Sequence, residues 1–124
     1  MKEFLSKAKE NLKIAQLSFD NECYNACANR SYFASFQAAV AALAAHGIQS
    51  NKNEHAWVQS EFNLQLIKRK KVYPEKLKTY LLTMQEIRNI ADYSDENISR
   101  KVARRQFSQA NEMIQNIEKE LRDK

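Results

Sequence analysis

Asn29 and Arg30, His55, and Arg88 with Asp92 are polar residues in stretches that a plain helical bundle would fill otherwise. Arg88 and Asp92 are four apart, hence neighbours on one helix face, and can form a local ion pair, although Arg ahead of Asp is the less favourable order for the helix dipole. Arg30 falls on one helical stripe with Cys23, Ala26, Cys27, Phe33 and Ala34, so its guanidinium must either reach out to water or be paired inside the bundle, where Asp92 is an available partner. Basic residues concentrate in Lys68-Arg69-Lys70-Lys71 and in Arg100-Lys101 with Arg104-Arg105. Such runs either meet phosphates or form solvated faces. No glycine-rich phosphate loop, no paired cysteines or histidines at metal spacing and no Ser/His/Asp arrangement occurs, so neither a metal nor a cofactor is expected.

The elements that must position these residues are helices. One Gly and one Pro in 124 residues, against an Ala, Leu, Gln, Glu and Lys background, favour helix almost throughout. With 44% hydrophobic residues the chain can bury one core and is too short for two, so residues 1–124 are expected to form a single domain. Leu5, Ala8, Leu12, Ala15 and Phe19 predict a first helix ending near Asp20-Asn21. An alanine-rich second helix, close-packed on several sides and so central, runs to His46-Gly47, where Gly47 is the expected left-handed cap. Gln49 to Glu54 reads as a loop. His55, Val58, Phe62 and Leu66 predict a third, shorter helix; Pro74 fits the first turn of a fourth, whose buried side is Leu77, Leu81, Met84, Ile87 and Ala91. Ser99 is the expected N-cap of a last helix with Ala103, Phe107, Ala110, Ile114, Ile117 and Leu121 facing inward.

Cys23 and Cys27, four apart on a helix, suit neither a disulfide nor a zinc site and are expected to pack as reduced thiols. The apolar stretch Ala38 to Ala45 is far shorter than a membrane span, and Met1-Lys2-Glu3 leads into an amphipathic helix, so a soluble cytoplasmic protein with no membrane contact is expected.

Asn29-Arg30-Ser31-Tyr32-Phe33-Ala34, then His55 with Phe62, then Arg88-Asn89-Ile90-Ala91-Asp92-Tyr93 resemble the successive motifs of HEPN (higher eukaryotes and prokaryotes nucleotide-binding) domains. The similarity is to small stand-alone prokaryotic members reading N-R-x-Y-Y/F-A in the second helix and R-x-x-A-D-Y in the fourth. The resemblance implies an all-α, up-and-down four-helix bundle with an additional short helix, and a homodimer whose fourth-helix motifs face each other across a cleft. Many such proteins are metal-independent ribonucleases, often the toxin partner of a small nucleotidyltransferase antitoxin. It further implies Arg88, Asn89, Asp92 and Tyr93 as catalytic positions, and Asn29, Arg30, Tyr32 and His55 as binding positions for RNA or a nucleotide.

In cleavage through the ribose 2′-hydroxyl, the arginine would hold the scissile phosphate while a histidine a few positions later moves the proton. Here Tyr93, Ser94 and Asp95 follow without a histidine. A tyrosine phenol, ordinarily titrating near pH ~10, is a poor base. His55, which Asn53 or Glu54 could orient, either supplies the missing acid or base across the bundle or caps the loop. Tyr32 is expected to pack, and Tyr93 either packs, stacks on a base, or accepts a nucleotidyl group as a modification site.

Overall fold

A computed structural model of the chain describes residues 2–49 and 54–123. Its elements are α1 (Lys2–Asp20), α2 (Tyr24–Ala45), α3 (His55–Glu61), a π-helical continuation of α3 (Phe62–Arg69), a 3-10 segment (Glu75–Thr79), α4 (Tyr80–Tyr93) and α5 (Arg100–Asp123). Among the described residues there is no strand. Residues 50–53 of the expected loop, including Asn53, lie outside the described residues.

Cross-helix partners fix the topology. Phe19 packs on Tyr24 while Asn11 bonds Gln37, so α2 runs back along α1. Asn29 meets Asp92 and Ser35 meets Met84, so α4 is antiparallel to α2. Cys27 reaches Ala103 and His46 reaches Glu120, which sets α5 parallel to α2. The result is an up-and-down bundle of α1, α2, α4 and α5 with α3 as the additional short helix.

Packing follows from side-chain size. Ala28, Ala34, Ala38, Ala39, Ala41 and Ala42 of α2 are buried, and their small side chains let α1, α4 and α5 all approach. Larger residues fill what remains: Val58, Phe62, Leu66, Leu77, Leu81, Met84, Met113, Ile114 and Ile117 form one cluster with Tyr32 and Leu43. Each such aliphatic side chain contributes about 1.5–3 kcal/mol on burial.

The helix ends obey local chemistry. Gly47 takes φ 76°, and the amides of Gly47 and Ile48 donate back to the carbonyls of Ala44 and Leu43 at 3.0 and 2.9 Å. Ser99 accepts from the Val102 amide at 3.2 Å, as its N-cap role requires.

Several expectations need correction. Pro74 stands just ahead of the helical segment instead of in its first turn, and that turn is 3-10 before α4 begins at Tyr80. The third helix widens: Lys70 donates to the Gln65 carbonyl five residues back, and beyond the end of the segment Lys71 takes φ 52°. Cys27 is buried as expected, but Cys23 is exposed. Arg30 is also exposed, because the outward stripe of α2 runs through Ala26 and Arg30 while Cys27, Ser31 and Ala34 turn inward.

Candidate functional site

Arg88 lies one turn from the C-terminus of α4, on the side facing α2. Its Nε donates to Asp92 Oδ2 at 2.9 Å, so the local pair forms despite its unfavourable order. The same oxygen accepts from Asn29 Nδ2 at 2.9 Å, which ties the carboxylate to α2. The guanidinium carbon stands 5.0 Å from the Phe33 ring centre, 5.5 Å from Tyr93 and 6.0 Å from Tyr32. These contacts hold the Nε edge and surround the guanidinium with three rings. Arg88 Nη2 lies 3.5 Å from the Tyr93 hydroxyl, at the outer limit of a hydrogen bond, and Tyr93 itself is 77% exposed. The Arg88 side chain is 17% exposed; its Nε is taken by Asp92, and its Nη2 lies beside the exposed Tyr93.

Behind Arg88 lies a second polar pair. The buried Tyr32 hydroxyl is hydrogen-bonded to His55 Nδ1, and His55 stacks on Phe36 at 4.4 Å and on Tyr32 at 5.5 Å. Burial pushes the Tyr32 phenol up to about 12, so it stays protonated and donates. Nδ1 of His55 is then the acceptor and Nε2 carries the proton. Burial, and after it the positive charge of Arg88, holds His55 below the usual histidine value, so the ring is neutral at pH ~7. Gln59, one turn after His55, lies close enough to influence the Tyr32 hydroxyl, and its amide donates to Gln85 Oε1 on α4 at 2.6 Å.

Of the residues singled out in the sequence, Asn29, Tyr32, His55, Arg88, Asp92 and Tyr93 thus converge. Arg30 does not: its Nη1 reaches Asn11 Oδ1 of α1 at 3.3 Å, and Asp92 is taken by Asn29 and Arg88 instead. Asn89 is exposed on the outer flank of α4. Phe33, Gln59 and Gln85 belong to the site's frame and had not been singled out for it. Phe33 was signalled by its place beside Tyr32, Gln59 by its spacing of four from His55; Gln85 had no signal of its own. Among the described residues no cluster of His, Cys, Asp and Glu could hold a metal ion.

Residues 1–121 match the HEPN domain family. The chain belongs to the HEPN family. A relative from Methanocaldococcus jannaschii, named "Putative toxin MJ0605", is 28% identical over 117 residues, spanning 94% of this chain and 84% of the relative. In this HEPN domain the two helical motifs are physically one unit, since Asn29 of the first and Arg88 of the second share a single oxygen of Asp92. Its all-helical fold agrees with the bundle that the family resemblance implies. No helix among the described residues is long and apolar enough to cross a membrane.

Proposed function

We propose that this HEPN domain is the toxin-like member of a cytoplasmic pair with a small nucleotidyltransferase antitoxin, and that it acts as a homodimer whose Arg88 engages a phosphate of RNA. The observation carrying this reading is the half-tethered guanidinium. Asp92 and Asn29 fix its Nε edge, three aromatic rings surround its carbon, and its Nη2 lies 3.5 Å from the hydroxyl of the exposed Tyr93. An arginine held this way loses little freedom on binding an anion and presents a planar pair of donors to phosphate oxygens. In cleavage through a ribose 2′-hydroxyl, the same group stabilises the negative charge that develops on the phosphate. Proton transfer would fall to Tyr93, or to His55 once its ring exchanges the Tyr32 hydrogen bond or takes up a second proton. Incubating the purified chain with total RNA in EDTA tests this: Arg88-dependent binding or cleavage supports it, whereas behaviour identical to that of Arg88→Ala in both assays removes it.

A second reading has its own support in the 77% exposure of Tyr93 next to Arg88. In it the domain is non-catalytic, and Tyr93 is the acceptor for a nucleotidyltransferase partner. The phenol oxygen bonds to the α-phosphorus of a nucleoside triphosphate, pyrophosphate leaves and the phenol proton passes to a base of the partner, with Arg88 binding the phosphates. Co-expression with such an enzyme and intact-mass measurement decides it. An added nucleotide mass absent in Tyr93→Phe supports the reading, and an unchanged mass sinks it.

A further inference from the structure

Arg100, Lys101, Arg104 and Arg105 occupy the first turns of α5, and all four side chains are exposed. Among the described residues none of them meets a carboxylate, whereas Lys9, Lys76 and Arg88 each do. Their placement works against the fold. The N-terminus of a helix carries the positive end of its dipole, α5 has no acidic residue in its first turn, and Arg100 with Arg104 and Lys101 with Arg105 are like-charge pairs at a spacing of four. Two of the guanidinium groups are nonetheless held in place, Arg100 at 5.1 Å and Arg104 at 5.5 Å from the ring centre of Phe19 on α1. Beside them, a groove lined by Gln16, Phe19, Arg104, Phe107 and Ser108 measures about 280 Å³.

We propose that this face is a second nucleic-acid-binding surface, which takes the sugar-phosphate backbone of single-stranded RNA on the α1–α5 side of the bundle, apart from Arg88 on the α2–α4 side. Four unanswered cations supply the attraction for phosphates. Arginines ordered on an aromatic ring, with Phe107 at the groove, supply planar surfaces for unpaired bases, a combination that single strands use and an acidic protein surface does not require. The surface does not depend on the reading of Arg88, so the two can fail separately.

The test uses the full chain and a labelled oligouridylate of about 20 nucleotides, with affinity measured across a salt series. Arg104→Gln combined with Arg105→Gln is expected to weaken binding about tenfold and to flatten the logarithmic salt dependence by about 1.4, since each phosphate contact on a single strand contributes about 0.7. The same loss is expected when Arg88→Ala is already present. Lysine at both positions should keep most of the slope. Both side chains are exposed, so melting temperature should hold or rise as like-charge repulsion is relieved. Unchanged affinity and slope in the glutamine variant overturns the proposal, as does absence of binding by the parent chain. Loss of binding to polyglutamate alone, with RNA binding intact, assigns the face to an acidic protein and equally overturns it. An effect of the glutamine variant with none from Arg88→Ala supports this surface and contradicts the role given to Arg88.

Discussion

Asn29 and Arg88, on different helices, donate to the same oxygen of Asp92, each at 2.9 Å. One carboxylate thereby sets where α4 presents its arginine relative to α2. Asn29→Ala should leave the fold within about 1 kcal/mol of the parent, as expected for a partly exposed hydrogen bond. It should weaken the Arg88-dependent RNA readout by less than Arg88→Ala does. Arg88→Lys should not restore function, because one ammonium cannot hold Asp92 along one edge and a phosphate along another. Chemical denaturation and RNA binding on the same samples check both statements.

His55 gives a pH signature. Its folded value lies below the ordinary 6.5, so between the two values the unfolded chain binds the proton more readily than the folded one. Its contribution to stability is complete above about pH 6.5 and is lost as pH falls toward the folded value. NMR titration should find the His55 midpoint depressed in the parent and raised in Arg88→Ala, where the neighbouring positive charge is gone.

Tyr32→Phe should cost about 1 kcal/mol, because the His55 Nδ1 acceptor loses its donor in a half-buried setting. The His55 midpoint should rise with it, since a donor into Nδ1 favours the neutral ring. Unfolding midpoints and the same titration read this out.

Gly47 and Ser99 test the helix ends. Gly47→Ala meets no atom within 4 Å of the added methyl group, so its cost of about 1 kcal/mol comes from the positive φ alone. Ser99→Ala removes the acceptor of the Val102 amide and should cost about 1 kcal/mol.

The two thiols should separate cleanly. Cys23 is exposed and should react with a thiol reagent in the native protein. Cys27 is buried, which also pushes its thiol up, so it should react only on unfolding. Equal native rates would contradict the placement of either residue.

What was legible in the sequence was local. Gly47, Ser99 and the three-four repeats of α1 and α5 each depend on neighbours within a turn or two, and all stand where the pattern put them. The facing of α2 was harder, because alanine on every side leaves little contrast between an inner and an outer stripe, and Arg30 was placed on the wrong one. The π-helical widening after Glu61 answers to tertiary packing of Phe62, Leu66 and Ile67, which periodicity alone does not encode. At the site, the local Arg88–Asp92 pair was readable from spacing. The Asn29 bond to Asp92 was not, since it depends on how two helices distant in sequence come into register.

The most direct measurement is the affinity of one RNA in EDTA for the parent, Asn29→Ala and Arg88→Ala chains at a single salt concentration. A phosphate held by a pre-positioned Arg88 predicts the order parent, then Asn29→Ala, then Arg88→Ala, with about tenfold or more between the first and the last. Equal affinity of the parent and Arg88→Ala would contradict it.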